Sequence, residues 1–163
     1  MENDFRKDNE FYPMVTSLEQ KRNKMNQRFQ QEDYGEAINY ARSLIESTCK
    51  YVYHELTGTE VAQVKGRKIE PTGEYYISLN GLISATIEKL SSLINYKKSI
   101  KEISDDLIDI VRRIGDIRNK SSVSHGSRTR NIEPQKEETL FVISLAEDVC
   151  IFLVKLLHAR TSV

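Results

Sequence analysis

Apolar residues recur at helical spacing along most of this chain. From Asp33 onward, Ile38, Ala41, Leu44, Ile45, Cys49, Val52 and Leu56 fall three and four apart until Gly58, which predicts a long amphipathic helix. Its start carries Asp33 and, three residues on, Glu36, a pattern similar to a capping box. The stretch 57–76 holds three glycines and Pro71 and lacks helical periodicity. It predicts a long loop, with at most a short extended piece over 75–78. A second helix follows, with Leu82, Ile83, Ile87, Leu90 and Ile94 on one face, then a brief linker over 95–98.

The third helix has the cleanest signals. Ser99 and Glu102 form another candidate capping box, and Ile100, Ile103, Leu107, Ile110, Val111, Ile114 and Ile117 continue a stripe for about five turns, ending near Arg118. A polar segment then runs to Pro134, which suits the first turn of a helix. That last helix is apolar on more than one face, through Leu140, Phe141, Ile143, Leu145, Val149, Phe152, Leu156 and others. Such a helix is central to a bundle or also buried in a dimer. Before Asp33, Leu18, Met25 and Phe29 with charged residues between them predict a partly exposed helix after a start interrupted by Pro13. With seven Gly and three Pro in 163 residues, turns are scarce. The expected fold is all-α: an antiparallel bundle of four core helices plus an N-terminal helical segment, divided into an extension over 1–32 and a helical domain over 33–163.

Composition narrows the function classes. The length fits one domain. Lys and Arg number 24 against 24 Asp and Glu, so the chain is formally neutral, which argues against a histone-like or tail-driven nucleic-acid binder. Any RNA site must be local. The two cysteines, Cys49 and Cys150, sit in apolar-periodic segments without metal-ligand spacing, the pattern of buried thiols in a reducing compartment. The start lacks the apolar core of a signal peptide, and no stretch reaches the roughly 18 to 20 apolar residues of a membrane span. A cytoplasmic protein with no membrane partner is expected.

Chemical candidates are few. A phosphate-binding Gly-rich loop, HExxH, paired-Cys motifs and a Ser nucleophile elbow are all missing. Charge placement at the end of the third helix stands out. Between positions 112 and 130, six positive residues (Arg112, Arg113, Arg118, Lys120, Arg128, Arg130) face one negative, Asp116, a local excess of five. Within this stretch the string RNKSSVSH places His125 after Arg118 and six intervening residues. A guanidinium offers permanently charged donors to phosphate, and an imidazole titrates near neutral pH and moves a proton. Together they supply what metal-free RNA cleavage needs. Arg118 extends the apolar stripe, four residues after Ile114 and seven after Val111. The bland alternatives are an Arg that satisfies the last carbonyls of its helix and a His in an ordinary polar loop. His54 and His158 lack acidic or Cys partners at ligand spacing and read as structural.

At these residues the chain resembles the HEPN superfamily, whose ribonuclease members carry an Arg, four to six residues, then a His, commonly with a polar residue after the Arg, here Asn119. It is similar in particular to the abortive infection C-terminal (Abi-C) family: the opening DYGEAINYARSLIESTCKYVYHEL, a leucine-rich middle helix, the GDIRNKSSVSHG block, and a last helix ISLAEDVCIFLVKLL. The resemblance covers roughly 33–160. It implies a helical bundle, usually dimeric, in which Arg and His meet their dimer mates in a shared cleft. It also implies Arg118 and His125 as the catalytic pair, Asn119 as a supporting polar residue, and no metal or cofactor. The block departs mildly from the usual one, which has a Gly where Ser122 or its neighbour stands. Regulation through a Tyr two places after the His has no counterpart, because Ser127 stands there.

The leading expectation is a metal-independent endoribonuclease, a toxin or antiphage effector, that cuts RNA by 2′-hydroxyl attack. Arg112, Arg113, Lys120, Arg128 and Arg130 would bind neighbouring phosphates, and an antitoxin or another defence protein would be a partner. The alternative is a non-catalytic HEPN module that binds RNA or a protein partner in a defence system.

Overall fold

The computed structural model describes residues 16–93, 95–121 and 134–161, without the side chains of 97, 100, 104, 118–121, 160 and 161. Its first helix, α1 (Thr16–Gln30), ends in a tight corner at Asp33, and α2 (Tyr34–Thr57) folds back along it. Arg28 pairs with Asp33 at 3.3 Å across the corner, and farther from it Lys21 Nζ donates to Ser47 Oγ. Two such links, near and far from the turn, mean the helices run antiparallel.

Asp33 caps α2 by accepting the Glu36 N–H at 3.4 Å, but the Glu36 carboxylate accepts from Asn39 Nδ2 at 2.8 Å, so only half of the expected capping box forms. At the other end Gly58, at φ +70°, donates its N–H to the His54 carbonyl at 2.7 Å. That left-handed cap is why the helix stops where the periodicity does. Between them Ile38, Ala41, Leu44, Ile45, Cys49 and Val52 are buried, the stripe seen in the sequence.

The stretch 57–76 is not a loop. It holds a short helix, α3 (Val61–Lys65), and a two-stranded hairpin, β1 (Arg67–Ile69) and β2 (Glu74–Tyr76). The strands pair antiparallel, Arg67 opposite Tyr76, Lys68 opposite Tyr75 and Ile69 opposite Glu74. Gly73, at φ +73°, donates to the Ile69 carbonyl at 2.8 Å and closes the turn. Five helical residues and three-residue strands are too short to show a period, so sequence pattern missed them. The extended piece expected over 75–78 begins at Glu74, because Ser78 is already the cap of α4 (Leu79–Ser91) and accepts the Gly81 N–H at 3.1 Å.

In α4, Leu82, Ile83, Ile87 and Leu90 are buried as expected; Ile94 lies outside the described residues. The next helix, α5 (Lys97–Ser121), starts two residues before Ser99 and continues three beyond Arg118. Ser99 is thus the third helical residue instead of a cap, and the capping box expected there does not start this helix. Val111 and Ile114 are buried, Leu107 and Ile110 pack partly against the core, and Ile103 (52%) and Ile117 (36%) stay exposed.

Helix α6 (Lys136–Thr161) begins after Pro134, not with it. The cap is Gln135: its carbonyl accepts the Thr139 N–H at 2.9 Å and its own N–H donates to Glu138 Oε2 at 3.1 Å. Pro134 is buried one place earlier. Helix α6 packs chiefly on α2 and also meets α1, α4 and α5, which explains why it is apolar on more than one face. Val142, Ile143, Ala146, Val149, Cys150, Leu153 and Leu157 are buried, whereas Leu140 and Phe141 are exposed. The architecture is an all-α bundle with a small hairpin set into it. Leu18 and Met25 of α1 belong to the same hydrophobic core as α2, α4, α5 and α6. No helix among the described residues is long and apolar enough to cross a membrane.

Candidate functional site

The basic segment picked out by the sequence begins on the last two and a half turns of α5. This helix is electrically divided. Glu102, Asp105, Asp106 and Asp109 form its middle, exposed and without intervening cations, and Arg112 and Arg113 follow, also exposed. Arg112 places a guanidinium nitrogen 3.4 Å from Asp109, one turn back, an exposed pair that contributes little to stability and leaves the guanidinium open to exchange for a phosphate. Arg118, Asn119 and Lys120 are carried on the final turn, though their side chains lie outside the described residues. His125, Arg128 and Arg130 lie outside them altogether. Arg112 and Arg113 therefore share α5 with Arg118.

What fixes this end of α5 is its contact with the start of α4. Leu79 Cδ2 lies 3.9 Å from where a Cβ on Gly115 would stand, three residues before Arg118. Leu79 in turn is buried at the foot of the hairpin, separated from Tyr76 only by Ile77 and the cap Ser78. The hairpin and the end of α5 thus share one end of the bundle. Sequence reasoning gave the hairpin residues no role. The signal available was the run RKIEPTGEYY, a Pro and Gly turn between short apolar and aromatic flanks.

Other titratable groups lie elsewhere. Cys49 and Cys150 are buried free thiols, and burial pushes Cys150 up to about 12 and Cys49 higher still. Such thiols are inert at neutral pH. His54 is exposed near the end of α2 and His158 is half-buried in α6. Among the described residues, no three His, Cys, Asp or Glu side chains are grouped so as to hold a metal ion.

The all-α bundle is a fold that a HEPN-like helical domain fits. The family model of the Abi-C HEPN-like domain matches residues 16–157, and the chain belongs to that family. The match takes in α1 as well as the four long helices after it. No curated protein and no solved structure matches the chain.

Proposed function

We propose that the protein is a metal-independent endoribonuclease of HEPN type, acting as a homodimer in abortive infection or as a toxin. Membership of the Abi-C family supports this reading, and Arg118, Asn119 and His125 match the Arg, polar residue and His of the HEPN ribonucleases that the sequence resembles. In the reaction the 2′-oxygen attacks the adjacent phosphorus and the bond to the 5′-oxygen breaks, leaving a cyclic phosphate and a free 5′-hydroxyl. His125 moves the proton, Arg118 holds the scissile phosphate and offsets the charge that builds on it, and Asn119 supports the pair. Arg112, Arg113, Lys120, Arg128 and Arg130 bind flanking phosphates. A cytoplasmic setting and an antitoxin or other defence protein as a further partner go with this role.

Purified protein incubated with mixed RNA and EDTA, beside Arg118→Ala and His125→Ala, tests it. Cleavage by the wild type that both variants lose by a hundredfold or more is expected. If the wild type binds RNA but cuts it no faster than the variants do, the protein is a binding module and the nuclease reading is wrong.

A further inference from the structure

Two large apolar side chains stand exposed next to each other near the start of α6, Leu140 (48%) and Phe141 (65%). Val142 and Ile143, next along the helix, turn into the core. The described helices thus bury what they can reach and leave this pair uncovered.

What lies beside the pair follows from how α1 runs along α6. Arg22 Nε donates to Glu147 at 3.2 Å, which brings the two helices together there. In the antiparallel bundle each of α1, α2, α4, α5 and α6 reverses the one before it, and four reversals leave α1 and α6 pointing the same way. Both rise about 1.5 Å per residue, so equal steps back from the bonded pair stay level. Six residues back from Arg22 is Thr16, the first residue of α1, and six back from Glu147 is Phe141. Leu140 is seven back from Glu147, two turns away, and so lies on the face of α6 that Glu147 turns toward α1. The chain therefore enters α1 beside the exposed pair.

The segment that enters there has the composition to cover it. Residues 1–15 lie outside the described residues. Their charges, Glu2, Asp4, Arg6, Lys7, Asp8 and Glu10, all fall within the first ten, and 11–15 reads Phe-Tyr-Pro-Met-Val without one. In a chain with 29% charged residues, an uncharged run of five leading straight to an exposed apolar pair calls for burial. Five residues span up to about 17 Å, enough to cross both side chains. Exposed Glu137 and Glu138 precede the pair, so an RNA strand would be repelled, whereas 11–15 brings no like charge.

We infer that residues 11–15 pack over Leu140 and Phe141 of the same chain. This face adjoins the end of α5, where two copies would have to meet to share Arg118 and His125. The segment thus competes with the second copy for the face and restrains assembly of the cleft. The docking stands by itself; the competition rests on the homodimeric ribonuclease reading.

The sequence has no Trp, so Phe11→Trp gives the full chain a single reporter. Its emission should be blue-shifted and its quenching by acrylamide about threefold or more below that of N-acetyltryptophanamide, as for a ring that buries most of its area. Adding Leu140→Glu/Phe141→Glu, or the milder Leu140→Ser/Phe141→Ser, should raise quenching to the level of the free amide while circular dichroism keeps its helical signal. Protection should survive dilution into the monomer range, as a contact within one chain must. Without the reporter, Phe11→Asp/Met14→Asp should release the face and tighten the dimer about tenfold or more in sedimentation equilibrium, with faster RNA cleavage at concentrations below the dimer's Kd. Quenching that the α6 substitutions leave unchanged means the segment docks elsewhere, protection lost on dilution means it covers a second copy, and either overturns the inference. A dimer weakened or unaltered by Phe11→Asp/Met14→Asp overturns the competition. If the wild type neither dimerises nor cuts RNA while Leu140 and Phe141 still shield the tryptophan, the ribonuclease reading falls and the docking stands.

Discussion

Leu79 and Gly115 meet with no side chain between them, so the start of α4 rests on the backbone of α5 one turn before Arg118. The 3.9 Å from Leu79 Cδ2 to a Cβ on Gly115 is an ordinary contact distance, with room for a methyl group. A mid-helix glycine costs about 1 kcal/mol relative to alanine. Gly115→Ala should therefore raise the unfolding free energy by about 0.5 to 1 kcal/mol in urea titrations. Gly115→Leu should lower it by about 1 to 3 kcal/mol, because the larger side chain drives the two helices apart. Destabilisation by both would mean the contact is tighter than described.

Helix α1 is tied to the bundle by apolar and polar links at once. Met25 is fully buried, and Glu147 of α6 accepts from Arg22 Nε at 3.2 Å and from Asn26 Nδ2 at 3.3 Å. Met25→Ala should cost about 2 to 4 kcal/mol, and a chain cut to begin at residue 33 should unfold earlier or self-associate, since it bares the α2 and α6 surfaces beneath. Glu147→Ala, which leaves two half-buried donors without their acceptor, should cost about 1 to 2 kcal/mol. A truncated chain with unchanged midpoint in thermal unfolding would show that residues 1–32 are a dispensable extension.

The helices were legible where a stripe ran for several turns. The faces of α2 and α4 and the middle of α5 follow the sequence period closely, because burial against one core is what the period records. Caps were harder. Asp33 with Glu36 caps α2, but Ser99 with Glu102 repeats the same spacing two residues inside α5, so the pattern alone does not decide which turn is first. The hairpin escaped for lack of length. At the site, spacing put Arg118 at the end of the α5 stripe, and the helix does carry that position, though its side chain lies outside the described residues. Its neighbourhood was not, because the contact of Leu79 with Gly115 joins segments far apart in the chain and leaves no local pattern.

The two buried thiols make stability depend on alkaline pH. Burial raises both above the ordinary thiol value, Cys150 to about 12 and Cys49 beyond it. Below about pH 8.5, where an unfolded thiol keeps its proton, their contribution is fully present. Above it the unfolded chain releases protons that the native one retains, so stability falls as pH rises, by about 1.4 kcal/mol per pH unit for each thiol until the folded value is reached. The unfolding free energy should thus decline between about pH 9 and 11 more steeply in the wild type than in Cys49→Ala/Cys150→Ala. Equal slopes would show that the thiols do not remain protonated in the native state.

Two apolar surfaces compete as the place where two copies would meet, and the proposed chemistry chooses between them. Along α5, Ile103 and Ile117 stand seven residues either side of Ile110, so an antiparallel pairing centred there is possible on pattern alone. That pairing would set each Arg118 eight residues from the centre and the two about 24 Å apart along the axis, too far to share one phosphate. A cleft holding both Arg118 and both His125 needs the contact near the end of α5 and the start of α6. Among the described residues, the large apolar side chains left exposed on the last turns of α5 and the first turns of α6 are Ile117, Leu140 (48%) and Phe141 (65%). Phe141→Glu should therefore yield a folded monomer in sedimentation or light scattering and lose RNA cleavage with it, whereas Ile103→Glu should leave both the dimer and the activity in place. The opposite outcome, a monomer from Ile103→Glu alone, would put the contact along α5 and rule out a shared cleft.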